Sequence, residues 1–165
     1  SHDGTRAFRL FFGAFRAACA NGLIFGDAFT ECRITHKGYA NDKVLNAIVE
    51  LESKTEEIKA KIQAMKAHVI TTSESMVLHN FTENILGGQV NIIDLFASRR
   101  FEDDTEDLWT VYNRLQEKIM EGGVYVSRLQ ESGLTRVRRA RSIRSIQRNV
   151  TANTELFKLA LAMVA

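Results

Sequence analysis

The residues in this sequence that are best suited to binding chemistry are arginines. Six of them lie between positions 136 and 148 with no acidic residue among them: Arg136, Arg138, Arg139, Arg141, Arg144 and Arg148. A planar guanidinium group can contact two phosphate oxygens at once, so this cluster predicts contact with a phosphate backbone. Ser142 and Ser145 could add hydrogen bonds to the same phosphates.

The spacing within this stretch is that of a basic amphipathic helix. Residues at i, i+3 and i+7 share one face of a helix. That spacing groups Arg141 with Arg144 and Arg148, and Ile143 with Ile146 and Val150. No helix-turn-helix, zinc-finger or RNA-recognition signature accompanies the stretch, so it predicts affinity without sequence specificity. The sequence therefore favours a sequence-tolerant, DNA-binding protein.

The charge along the chain leaves a second interpretation open. Residues 101–123 carry seven acidic residues against two basic ones, a local net charge of −5, whereas residues 124–148 carry seven arginines against Glu131, a net of +6. Such asymmetry predicts either an external anionic partner or pairing of the arginines with the acids at 102–107. An acidic protein or a membrane surface are further candidates for the anion. The runner-up function is a protein-interaction module that uses the basic segment or a long helix as its contact surface.

Signatures of catalysis are missing from the sequence. It contains no phosphate-binding loop, no dinucleotide fingerprint and no paired-carboxylate signature of a metal enzyme. Cys19, Cys32 and His36 could ligate a metal, but a fourth ligand is missing and the spacing fits no zinc module. The acids at 102–107 suit a helix N-terminus better than Mg²⁺. We therefore expect no enzyme, no cofactor and no metal, and a nuclease would need a metal site that the sequence does not assemble.

A heptad pattern of apolar residues over positions 44–69 predicts the longest helix of the chain. Apolar residues and one threonine recur at alternating spacings of four and three: Val44, Ile48, Leu51, Thr55, Ile58, Ile62, Met65 and Val69. This pattern predicts a helix about 40 Å long. Such a helix needs a partner, either within the chain or in a homo-oligomer through residues 43–70.

Three further helices are predicted from their ends. Thr71 and Glu74 have capping-box spacing, and the helix they begin should turn Val77, Phe81 and Ile85 inward before it ends at Gly87. A second helix, with capping spacing at Asp103 and Glu106, precedes Gly122, and its apolar face consists of Leu108, Val111, Tyr112, Leu115 and Ile119. A final helix spans residues 154–164.

The first 42 residues favour short strands. Residues 5–12 alternate like a half-buried strand, residues 14–20 suit a short helix, and residues 23–25 and 30–35 suggest a hairpin. The sequence thus predicts a single α+β domain over 1–165, predominantly helical. A small β-containing part at 1–42 would pack with the long helix, and the helical part would occupy 43–165.

Location follows from the cysteines and from hydropathy. Two cysteines and a polar, basic start predict a reducing, cytoplasmic setting. No uninterrupted apolar run approaches the ~20 residues that a membrane span requires. We therefore expect no membrane association.

Two segments resemble an uncharacterised family found in prophages and plasmids. Ser-His-Asp-Gly at 1–4, Asn-Gly-Leu at 21–23 and His-Lys-Gly at 36–38 match its early region, and DLWTVYNRLQEKIMEGG at 107–123 looks like its Trp-x-x-Tyr-Asn helix. An arginine-rich stretch follows that helix in the family as well. Members carry a further N-terminal region, so the resemblance implies a shortened form. It also implies a mobile-element context in a bacterial host cell, where inhibition of a host defence protein is one role open to the protein-interaction module, and it supplies no catalytic residues to carry over.

Overall fold

A computed structural model describes residues 8–10, 13–15, 22–24, 32–34, 41–98 and 105–165. The chain divides into two compact units, residues 1–61 and 62–165. Helices and antiparallel sheet are both present, as an α+β fold requires. The prediction of a single domain with a division near residue 42 stays a prediction.

The first unit contains four short strands and most of a long helix. Strand β1 (Phe8–Leu10) pairs antiparallel with β4 (Cys32–Ile34), and β2 (Gly13–Phe15) pairs with β3 (Gly22–Ile24). The predicted hairpin between 23–25 and 30–35 is therefore wrong, because each of its strands pairs with an earlier one. The predicted helix at 14–20 is wrong at residues 14 and 15, which lie in β2, and its remainder lies outside the described residues.

The long helix α1 (Asn41–Ala67) confirms the heptad prediction. Ile58 and Met65 of the stripe are buried, whereas Ile48 is exposed and Val69 follows the helix as an exposed bridge residue paired with Asp107. Leu45 and Val49 are exposed on the same helix. Self-association through residues 43–70 stays a prediction.

Helix α2 (Thr72–Leu86) begins with the predicted capping box. The Thr71 hydroxyl accepts from the Glu74 amide, the Glu74 carboxylate accepts from the Thr71 amide at 2.7 Å, and Gly87 ends the helix in the left-handed conformation. The predicted inward face is wrong by one residue, because Leu78, Thr82 and Leu86 are the buried positions. Thr82 tolerates burial since its hydroxyl donates to the Leu78 carbonyl at 2.8 Å.

Helix α4 (Leu108–Glu121) is the centre of the second unit, and it follows β5 (Gln89–Val90) and the short α3 (Ile92–Phe96). The five apolar residues predicted for its face are all buried, as predicted. The predicted N-cap was Asp103, but the N-cap is Asp107, so the helix starts four residues later than predicted. Arg114 and Lys118 are also buried, and their charged ends donate to the carbonyls of Phe96 and Ala97.

The second unit also contains a three-stranded sheet, which the prediction of a helical part over 43–165 did not include. Strand β6 (Gly122–Leu129) lies between β5 and β7 (Thr135–Arg141), antiparallel to both. A loop at 142–145 leads to helix α5 (Ile146–Ala162), which starts eight residues earlier than predicted. The expectation of a wholly helical C-terminal half is therefore wrong.

Gly122 permits the direct passage from α4 into β6. Its φ is 72°, and a Cβ there would lie 2.5 Å from the Ala140 carbonyl oxygen. We expect Gly122→Ala to lower the free energy of unfolding by about 3 kcal/mol, through backbone strain and this clash. Gly133→Ala is the matched control, because φ is 79° but nothing lies within 4 Å, so only the left-handed strain of about 1 kcal/mol applies. Equal losses in urea denaturation would show that the close approach contributes nothing.

Candidate nucleic-acid interface

The six predicted arginines lie on three consecutive segments of the second unit. Strand β7 carries Arg136, Arg138, Arg139 and Arg141, the following loop carries Arg144, and the first turn of α5 carries Arg148. The prediction of a basic helix is thus wrong for residues 136–145. Successive residues of an extended strand project to opposite faces, so Arg136 and Arg138 share one face of the sheet and Arg139 and Arg141 share the other.

Strand β6 explains why this segment is extended. Its Val124-Tyr125-Val126 run consists of residues that favour strands, and β7 pairs with it from Thr135 to Arg141, with an irregularity between Gly122 and Tyr125. The turn at 130–133 is closed by the Gly133 amide, which donates to the Gln130 carbonyl at 2.9 Å. We call residues 122–141 the arginine ribbon.

One face of the ribbon turns toward the core at its base. Val124, Val126 and Ala140 are buried there, and Arg138 and Arg136 continue the same face toward the tip. Arg136 lies directly opposite Arg128. Arg128, Arg136 and Arg138 line one concave surface near the turn, together with Glu131. Sequence reasoning missed Arg128, although it is the sole basic residue in a run of strand-forming residues that ends in Ser132-Gly133.

The second basic surface lies where β7 meets α5. Arg141, Arg144 and Arg148 line a concavity with Ser142 and Ser145, and we call these five residues the α5 cluster. The three arginines that a helix would have aligned therefore still meet, but around a strand-to-helix junction. Arg139 and Glu121 lie on the rim of the same concavity.

The start of α5 adds positive potential to the α5 cluster. Ser145 is the N-cap, and its hydroxyl accepts from the Arg148 amide at 3.4 Å. The first turn of this 17-residue helix carries no acidic residue. The free amides and the dipole at such an end favour an anion, so both backbone and side chains of the cluster attract negative charge.

All six predicted arginines are exposed. Within the described part of the chain, no ion pair joins any of them to a carboxylate. Two of them donate to backbone carbonyls: Arg138 Nη2 to Leu86 at 2.9 Å, and Arg139 Nε to Gly123 at 3.1 Å. A neutral carbonyl orients a guanidinium group without cancelling its charge, so these two side chains are positioned and still cationic.

The acids that might have neutralised the arginines are engaged elsewhere where the structure describes them. Glu106 lies 3.5 Å from the buried Arg114. Asp107 caps α4 and accepts from the Thr110 amide at 2.9 Å. Burial opposes ionisation of Asp107, but hydrogen bonds from Thr105 and Thr110 outweigh it and lower the pKa of its carboxyl group. Glu102, Asp103 and Asp104 lie outside the described residues.

The histidines, cysteines and remaining acidic residues form no metal-binding cluster in the described ranges. His68 Nε2 lies 2.9 Å from the Glu74 carboxylate, and His79 Nε2 lies 2.8 Å from the Val90 carbonyl. Over those ranges no three histidine, cysteine or acidic side chains come together as metal ligands. Of the suggested metal residues, Cys32 lies in β4, while Cys19 and His36 are outside the described residues. None of the described helices is long and apolar enough to cross a bilayer.

Comparison with known proteins identifies a family without an assigned activity. Residues 1–157 match the model of the domain of unknown function DUF932. UPF0380 protein YfjQ of Escherichia coli strain K12 is 32% identical over 164 residues, covering 97% of this chain and 59% of the relative. UPF0380 protein YafZ of that strain is 30% identical over 168 residues, covering 99% and 60%. No solved structure matches. The chain spans about three-fifths of the length of these two relatives.

Proposed function

This chain belongs to the DUF932 family, a domain of unknown function, and we propose that it is a non-catalytic, sequence-tolerant DNA-binding protein. It acts in the bacterial cytoplasm as part of a phage or plasmid element. The mobile-element context comes from the resemblance at residues 1–38 and 107–123 described above. The binding activity is argued from the second unit alone.

A single observation carries the proposal: seven arginines converge on two adjoining surfaces without a carboxylate partner among the described residues. Six are those predicted from the sequence, and Arg128 is the seventh. Each guanidinium can replace a counterion on a phosphate, and release of that counterion favours binding. The arrangement therefore offers a polyanion several contacts at once, along a path from the ribbon tip to α5.

The α5 cluster is the stronger half of this surface for a phosphate group. Three guanidinium groups, two serine hydroxyls and the amino end of α5 surround one concavity. Guanidinium–phosphate hydrogen bonds are charge-assisted and frequently two-pronged. A phosphate seated there would orient the backbone without any contact to a base, which accounts for sequence tolerance.

The test is a salt titration of the affinity for a fluorescently labelled duplex of about 20 base pairs. Contacts through the six predicted arginines give a slope of log affinity against log salt of up to about −5. Fluorescence anisotropy between ~50 and ~200 mM salt measures this slope directly. No binding to DNA or RNA at ~50 mM salt would overturn the proposal.

A protein partner is the second candidate, and one observation favours it. Four apolar side chains of the ribbon are more than half exposed: Tyr125 64%, Leu129 71%, Leu134 69% and Val137 60%. Exposed apolar clusters are typical of protein-binding surfaces, including one that would inhibit a host defence protein. The same titration separates the two candidates, because a protein-interaction module predicts no salt-dependent affinity for the duplex.

A further inference from the structure

The outer part of the arginine ribbon stands clear of the protein core. From Arg128 to Arg139 every residue is exposed, on both faces of the two strands. Burial resumes at Val126 and Ala140. At a rise of ~3.4 Å per residue, the strands and turn extend roughly 12 Å beyond Val126, the last buried residue of β6. We call residues 128–139 the arm.

The shape of the arm matches one groove of one kind of duplex. Two paired strands lie about 5 Å apart, and the major groove of B-form DNA, about 12 Å wide and 8.5 Å deep, admits a two-stranded ribbon. The minor groove is about half as wide. The major groove of A-form RNA is deep and too narrow for side chains to enter.

The charges on the arm match the two walls of such a groove. Arg128 and Arg136 project from one face, and Arg139 projects from the other. Like charges directly across two strands repel each other, so the pairing of Arg128 with Arg136 weakens the free ribbon. Glu131 in the turn is the acidic side chain that shares their concavity. Phosphate groups along one wall of the groove would attract both guanidinium groups and so offset their mutual repulsion.

The apolar residues of the arm suit the floor of the groove. Leu134 lies beside the turn, at the end of the arm that would reach the floor, and Leu129 lies at the adjoining end of β6. Apolar side chains contact thymine methyl groups and base edges without reading the hydrogen-bond pattern that distinguishes base pairs. Insertion of the arm therefore keeps binding sequence-tolerant.

We propose that the arm enters the major groove of B-form DNA while the α5 cluster holds the adjoining phosphate backbone. This inference rests on the proposed function and makes it specific, because it selects duplex DNA over single strands and over duplex RNA. Arg128 and Arg136 contact one wall of the groove and Arg139 the other. The α5 cluster then fixes how deeply the arm is inserted.

The experiment compares four labelled ligands of equal length with the intact chain: a DNA duplex, the same duplex with glucosylated hydroxymethylcytosines, the single strand, and the RNA duplex. Glucosyl groups fill the major groove without changing the phosphate charge. We expect at least a 10-fold loss of affinity on the glucosylated duplex, with the single strand and RNA also weaker. Distamycin, which occupies the minor groove, should leave binding to the DNA duplex unchanged.

A paired variant assigns the effect to the arm. Both residues are exposed, so Arg128→Gln with Arg136→Gln should fold normally, which circular dichroism checks. It should weaken binding to the plain duplex and leave little difference between the plain and glucosylated forms. Equal affinity of the intact protein for both duplexes would overturn groove insertion while leaving the proposed function in place. No binding to any of the four ligands would instead overturn the proposed function itself.

Discussion

Replacement of Arg141, Arg144 and Arg148 together by glutamine should reduce the affinity for a DNA duplex by about 100-fold or more at ~50 mM salt. These side chains line one concavity with the amino end of α5. Each phosphate contact releases about one counterion, so the loss of three contacts should make the salt slope shallower by about 3. Fluorescence anisotropy across the same salt range measures both quantities.

Folding should be preserved in this triple variant. All three arginines are exposed and none is paired with a described carboxylate, and exposed charges contribute little to stability. Glutamine removes the charge and keeps part of the length and hydrogen-bonding capacity of the side chain. An unchanged circular dichroism spectrum would therefore attribute the loss of affinity to the surface. Loss of folding would instead indicate internal pairing of the arginines.

A control with the same change in net charge separates local contact from general attraction. Lys59, Lys61 and Lys66 are basic residues of α1, and Lys59 and Lys61 already pair with Glu56 and Glu57. Their joint replacement by glutamine should change the affinity by less than about 3-fold, since general attraction without a direct phosphate contact is largely screened by salt. If both triple variants lost affinity equally, the α5 cluster would not be the binding site.

The second large effect concerns stability. Tyr112 in α4 is 0% exposed, and its ring lies 5.8 Å from the ring of Phe157 in an edge-to-face arrangement. The ring of Trp109 stacks on it at the same centroid distance. Tyr112→Ala should lower the free energy of unfolding by about 4 kcal/mol, because it removes the largest fully buried side chain among the described residues and leaves a cavity. Urea denaturation followed by circular dichroism measures the loss.

Tyr125→Ala provides the matched control for this prediction. The same substitution at a ring that is 64% exposed should cost less than about 0.5 kcal/mol. Similar losses at the two positions would contradict the placement of Tyr112 in the core. Tyr112→Phe is intermediate, because it keeps the ring but removes the hydroxyl that accepts from Gln116 at 3.3 Å. We expect it to cost about 1–2 kcal/mol.

The phenol of Tyr112 also makes stability depend on alkaline pH. Burial raises the pKa of Tyr112 above its ordinary value of 10.0. The unfolded chain therefore loses this proton first as the pH rises. The corresponding stability is present below about pH 10 and is lost as the pH rises above it. Tyr112→Phe should show a smaller decline in stability between pH 9 and 11 than the unaltered chain.

Local sequence determined the helices whose signals lie within a few turns of each other. The heptad stripe marked α1, Thr71 and Glu74 marked the start of α2, and five apolar residues marked the buried face of α4. These patterns suffice because helical hydrogen bonds and capping contacts join residues no more than four positions apart. The arginine cluster was also visible, since composition alone defines it.

The tertiary structure decided what that cluster became. The arginines and isoleucines at 141–150 have helical spacing, but the chain is not helical before residue 146. Strand pairing prevails there, because Thr135–Arg141 pairs with Gly122–Leu129, which in turn pairs with Gln89–Val90. Strand pairing joins residues far apart in sequence, and local propensity is too weak to oppose it. The tertiary structure also positions individual side chains through carbonyl groups far away in sequence. Arg138, for example, donates a hydrogen bond to the Leu86 carbonyl. The sequence by itself therefore determined which residues carry the charge, whereas long-range pairing decided that they project from both faces of a ribbon.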